Sequence, residues 1–314
     1  MPDHRRAAHR LPATLLPNQP APAVGKQQAL TEQHLLPALD ALSAYLLALR
    51  TEVDPLLCQQ KPIKLGKPYP VGQCLEICKA MQAKWRSGPA QPLRADAAQG
   101  RAAFTAFSKA GGSIRQVWGD LRGDYFQNAF QFGGLYVDVA NDTVTPTKPK
   151  IEILPFEESQ LVAIRDFRHY AQVASRYWQG EIYPNHLLPA LAPYFPWIHI
   201  KPWGQAQLCD ASDYMLALTT TQQFRPSETV LRDGPMPEAL FTRLQQSLTG
   251  SGANGLSVAV ASSPAQGQKA ALTACQHYRA KRWHLVPQQR QWAIGQLAIA
   301  SRALAEAARR VTLQ

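Results

Sequence analysis

The chain has 314 residues, 46% of them apolar and 18% charged. That length buries a substantial core without disulfide or metal staples, and the balance excludes a fibrous or wholly disordered chain. The net charge of +11 is uneven: residues 251–314 hold eight Lys or Arg against one acid, Glu306, whereas residues 151–250 hold seven bases against ten acids. A basic end of this kind favours an acidic partner, either a phosphorylated small molecule or an acidic macromolecule.

Residues 1–28 are rich in Pro, Ala, Arg and Gln, lack periodicity and read as a disordered tail. From Thr31 onward Leu39, Leu42, Leu46 and Leu49 fall at helical spacing, as do Cys74, Cys78, Met81 and Trp85 after a Pro- and Gly-containing loop. Asp96 to Lys109 is predicted as a helix stopped by Gly111 and Gly112, and Ile114, Val117, Leu121 and Tyr125 as a further helix bent at Gly119 and Gly123. Beyond Gly133–Gly134 the period changes to two. Leu135, Val137 and Val139 then face one side of a strand, and Tyr136 and Asp138 the other. Asn141–Asp142 turns the chain into a return strand at Ile151 and Ile153, and Glu158 to Gln179 reads as a helix.

Pro184 to Pro202 is expected as an ordered loop around a short strand, Trp197–Ile200. Tyr214–Thr219, Thr229–Arg232, Leu256–Ala261 and Trp283–Val286 read as extended. Pro237–Leu248, Ala265–Tyr278 and Gln289–Val311 read as helices. The fold class is α+β: a mainly helical N-terminal half with a β-hairpin near 135–153, then a mixed α/β C-terminal half. The expected division is a tail at 1–28, a helical region with hairpin at 29–205, and a mixed region with a basic final helix at 206–314. Five scattered cysteines without a CxxC pair point to free thiols in a reducing compartment. No apolar run is long enough for a membrane helix, and the opening residues lack the apolar stretch of a signal peptide, so a soluble, cytoplasmic protein is expected.

Chemistry concentrates in LRGDYFQNAFQFGGLYVDVAND, residues 121–142, where two carboxylates, Asp138 and Asp142, follow a glycine pair and a strand. Carboxylates this close suit a hard divalent cation. The stretch resembles the segment of nucleotide-sugar glycosyltransferases that carries an Asp-x-Asp metal site. That resemblance implies a magnesium or manganese ion on Asp138 and Asp142, phosphate contact from Arg122, and Tyr136 lining the same face. The alternative is structural: Asp138 as an ordinary strand residue and Asn141–Asp142 as a turn.

A second run, SVAVASSPAQGQKAALTACQHYRAKRWHLV, places a strand, a small-residue loop, Lys269 and a helix in series. It is similar to the phosphate loop of the partition-protein ATPases, which implies a phosphate contact from Lys269. Ser262 or Ser263 as a plain helix cap is the other reading. The expected function is a divalent-metal-dependent transferase acting on a phosphorylated or nucleotide-activated substrate. The alternative is a non-catalytic binding or adaptor protein that engages an acidic partner through the basic C-terminal region, where Arg279, Lys281 and Arg282 cluster.

Overall fold

The computed structural model describes residues 15–249 and 254–311. Apolar spacing sets the first helices. α1 (Lys26–His34) and α2 (Leu39–Gln60) flank a tight turn, and α2 buries Leu42, Leu46, Leu49 and Val53 on one face. β1 (Ile63–Lys64) and β2 (Lys67–Pro68) form a small hairpin before α3 (Cys74–Ser87) and α4 (Ala95–Lys109). Helix α4 crosses α2 at Gly100, where an added Cβ would stand 1.8 Å from the Ala41 carbonyl oxygen. Such an approach admits only glycine, despite its conformational cost inside a helix.

Next comes a five-stranded antiparallel sheet made of β3 (Ile114–Leu121), β4 (Tyr125–Phe132), β5 (Leu135–Asp138), β6 (Glu152–Pro155) and β7 (Leu161–Val162), in the order β6-β5-β4-β3-β7. The helix predicted over Ile114–Tyr125 is therefore a strand and a turn. Val117 and Leu121, four apart, share a face in a strand as well as in a helix, and both are buried. The glycines belong to the sheet. Arg122 and Gly123 both take positive φ, +61° and +74°, to turn β3 into β4. Gly119 leaves room for β7, since a Cβ there would stand 2.2 Å from the Val162 carbonyl oxygen.

The expected hairpin is present as β5 and β6, with Val137 opposite Ile153. The helix predicted over Glu158–Gln179 is shorter. Residues 161–162 pair with β3, and α5 (Phe167–Tyr177) begins where Asp166 accepts a hydrogen bond from the His169 amide.

In the second half β8 (Glu181–Pro184), β9 (Trp197–Ile200) and β10 (Ala206–Cys209) form an antiparallel sheet in the order β10-β9-β8. The expected division at 205/206 falls in the β9–β10 turn, between strands that pair. The strands predicted at Tyr214–Thr219 and Thr229–Arg232 are helices instead, α6 (Asp213–Thr221) and α7 (Arg225–Val230). Threonine hydroxyls there bond back to the preceding turn, which reconciles them with a helix: Thr220 and Thr221 each donate to a carbonyl four residues back at 2.7 Å, and Thr229 to Arg225 at 3.0 Å. Helices α8 (Glu238–Thr249), α9 (Pro264–Ala280) and α10 (Pro287–Val311) match their predicted positions. Leu256–Ala261 pairs with no strand, and Trp283–Leu285 forms a tight helical turn rather than a strand.

Of the expected tail, residues 1–14 lie outside the described residues. Residues 15–25 hold no helix or strand but are tied to the sheet, with the Trp118 amide donating to Asn18 at 2.8 Å and the Gln131 amide to Ala21. Helices α2–α4 cover one sheet face through Phe104, Phe107, Phe130 and Phe132, and residues 187–304 build a second core. A third cluster with Phe126, Phe167, Tyr170, Trp197 and Tyr214 joins the two.

Gly100→Ala should lower unfolding free energy by about 1–3 kcal/mol, because the α2–α4 crossing has no room for a methyl group. Gly295→Ala on α10, with no atom within 4 Å of the added carbon, should instead be neutral or stabilise by up to about 1 kcal/mol. Urea unfolding of the two variants checks the contrast.

Candidate functional site

The two carboxylates singled out by sequence occupy separate networks. Asp138 ends β5 fully buried, and its oxygens accept hydrogen bonds from the Ala140 amide at 2.7 Å, Gln127 Nε2 at 2.7 Å and the Tyr136 hydroxyl at 2.9 Å. Burial, with a smaller contribution from Glu152 across the β5–β6 pair, raises its pKa to about 6 against those three donors. Asp142 sits in the turn after β5 and meets Arg50, whose guanidinium reaches both carboxylate oxygens at 3.1 Å. Among the described residues no group of three or more His, Cys, Asp or Glu side chains is arranged to hold a metal.

Tyr136 shares the Asp138 face, as its alternation implies. Arg122 reaches that neighbourhood indirectly, through an ion pair with Glu152 at 3.0 Å. Lys269 stands apart, exposed on α9, and Ser263 caps that helix by accepting the Gln266 amide. In the basic cluster Arg279 is committed to Glu228 at 2.5 Å, while Lys281 and Arg282 are exposed.

A cleft of about 560 Å³ opens elsewhere, between the two sheets. None of the five sequence-predicted site residues lines it. Its walls are aromatic. Trp118 from β3 stacks on Phe126 from β4 at 5.2 Å and 17°, and Phe126 lies 5.1 Å from both Tyr170 of α5 and Trp178, the residue that caps its C-terminus. Tyr177 adds a further ring, 6.0 Å from Trp178. The rim carries apolar side chains left in water: Leu65 of the β1–β2 turn is 70% exposed and Trp203 of the β9–β10 turn 58%. Exposed apolar groups gathered at the mouth of a concavity mark a binding surface more than scattered ones do.

Charge in the cleft is mostly positive. Lys64, Lys67 and Lys201 line it against one carboxylate, Asp210. Lys64 is half-buried and bonded to Glu76 at 2.9 Å, and Lys67 is exposed. Lys201 differs: only 7% exposed, it has no carboxylate partner among the described residues, and its Nζ lies over the Trp178 ring at 4.9 Å. Burial lowers its pKa. Beside it on β10 the Cys209 thiol is pushed up to about 12, first by burial and then by neighbouring Asp210, so it stays a neutral thiol at physiological pH. Asp210 is raised by burial, against a hydrogen bond from the Ser212 amide at 3.0 Å.

Sequence reading missed this cleft because its lining comes from residues 64 to 301, which no local spacing connects. Lys201 had one readable signal. It follows the apolar strand WIHI and precedes Pro202–Trp203, an unusual place for an ionisable side chain.

The raised Asp138 pKa has a measurable sign. Between the unfolded value near 3.9 and the folded value of about 6 the folded chain keeps a proton that the unfolded chain has lost, so stability falls as pH rises through that window. Asp138→Asn removes the titration. The unfolding free energy of wild type minus that of the variant should therefore fall by up to about 3 kcal/mol from about pH 4 to 7. A pH-independent difference would show that Asp138 does not titrate there. No protein-family model matches this chain, and no curated protein or solved structure matches it.

Proposed function

We propose that the protein binds a planar, mainly apolar small molecule that carries negative charge, in the cleft between its two sheets. One observation carries this reading: aromatic rings from β3, β4 and α5 enclose about 560 Å³ together with three lysines and one carboxylate. Flat aromatic walls favour a flat ligand, and each well-placed ring contact contributes about 0.5–1.5 kcal/mol beyond area burial. The exposed Lys67 and half-buried Lys64 meet the ligand's anionic group, and buried Lys201 and Tyr170 with half-buried Asp210 complete the lining.

Metal-dependent group transfer has thinner support. A cation on Asp138 and Asp142 would have to displace Arg50 from one and three hydrogen-bond donors from the other. The polyanion reading rests on exposed Lys269, Lys281 and Arg282, since Arg279 is already paired.

2-Naphthoate is a suitable probe. Titration should quench tryptophan fluorescence, because Trp118, Trp178 and Trp203 line the cleft. Trp178→Ala should weaken binding about tenfold, equivalent to about 1.4 kcal/mol, and Lys67→Glu should weaken it while leaving the melting temperature unchanged. Absence of quenching at millimolar probe overturns the reading. Millimolar magnesium or manganese should leave the melting curve in place, and a metal-induced rise lost in Asp138→Asn would restore the transferase reading.

A further inference from the structure

Lys201 is unusual among the cations of this protein. A lysine this deeply buried is ordinarily held by a carboxylate, since an unpaired buried ammonium loses its hydration without compensation. Here no acid among the described residues pairs with it and no hydrogen bond from Nζ is formed to them, while the stem is buried and the tip keeps contact with the cleft. The Trp178 ring at 4.9 Å offers one attractive face, which compensates only in part. The backbone around it is held firmly: its amide donates to Gln205 and its carbonyl accepts from Gly204, both at 2.8 Å, closing the β9–β10 turn. The side chain is thus presented to the cleft from a rigid support, with neither an ion-pair partner nor a structural bond at its tip.

Three neighbours on the same lining bear on its chemistry. Cys209 is a neutral thiol, so it neither pairs with the ammonium nor competes as a nucleophile. Tyr170 and Asp210 both line the cleft, a hydroxyl able to give a proton and a carboxylate able to take one. A lysine amine without an ion-pair partner, facing an aromatic cleft that also holds a hydroxyl and a carboxylate, is the arrangement by which lysine adds to carbonyl carbon.

We infer that the cleft is a carbonyl-condensing site, in which Lys201 Nζ forms an imine with an aromatic aldehyde or ketone seated between the Trp118, Phe126 and Trp178 rings. This rests on the ligand-binding reading of the cleft and adds covalent chemistry to it. The neutral amine's lone pair forms the C–N bond as the C=O π bond breaks, and one amine proton moves to the oxygen. The carbinolamine then loses its hydroxyl as water, the second amine proton leaving with it, and the C=N bond is made. Tyr170 and Asp210 relay those protons. No oxidant or reductant takes part.

Full-length protein incubated with 6-formyl-2-naphthoate and cyanoborohydride at neutral pH tests this, with peptide mapping of the secondary amine and 2-naphthoate binding measured in parallel. The expected result is labelling of Lys201 at least about tenfold faster than of exposed Lys67, Lys269 and Lys281, suppressed by excess 2-naphthoate. Lys201→Arg removes the condensing amine, so the fast label should disappear while exposed Lys67, Lys269 and Lys281 are labelled as slowly as in the wild-type protein. If 2-naphthoate binds but labelling is spread over the exposed lysines, the condensation is overturned while the binding reading stands. If 2-naphthoate does not bind and Lys201 is not labelled, both fall. Should Lys201→Arg fail to fold, protection of Lys201 by 2-naphthoate in the wild-type protein decides the question alone.

Discussion

The architecture turns on one buried cation. Arg50 is fully shielded from water in the middle of α2, and its guanidinium binds Asp54 one turn along the helix, the Val139 carbonyl and both oxygens of Asp142. Burial works against the charge, and the two carboxylates more than offset it. Removing one member of such a group leaves the others charged and dry, which ordinarily costs about 3–5 kcal/mol. The network also reaches outward. Asp54 accepts from the Tyr69 hydroxyl and pairs with Lys150, and the Gly72 amide donates to Thr143 in the turn that carries Asp142. The β1–β2 hairpin is thereby anchored, and with it Lys64, Leu65 and Lys67 at the rim of the cleft.

How much of this the sequence discloses depends on the range of the interaction. Helices α2, α3, α8, α9 and α10 were legible because a stripe at helical spacing is buried wherever the helix packs. The β5–β6 hairpin was legible because two-residue alternation runs through Leu135, Val137 and Val139. Strand β3 was not, since its buried residues lie four apart and its glycines look like helix breaks until β7 is seen beside Gly119. In α6 and α7 the threonine hydroxyls find partners in the preceding turn, so the helix accommodates them. For β3 a contact made at longer range decided between two local readings.

The candidate site divides in the same way. Asp138 and Asp142 stood out because they are near in sequence, and the fold puts them to work on different elements, one inside the sheet and one against α2. The carboxylates did mark a place of consequence, since the turn between them is where helix and sheet are joined. The cleft residues carry no comparable signature. Trp118 and Phe126 lie far from Trp178 along the chain, and only the packing of the two sheets and α5 brings all three to one cleft.

The last helix has a bearing on when that space exists. Leu297 and Ser301 of α10 line the cleft, while Ala293, Leu297, Ala300 and Leu304 of the same helix fill the second core. Every other lining element precedes α10 in the chain. A nascent polypeptide halted before residue 287 would carry both sheets and every ring of the cleft yet lack the wall that Leu297 and Ser301 supply, so the enclosure forms only after α10 has packed.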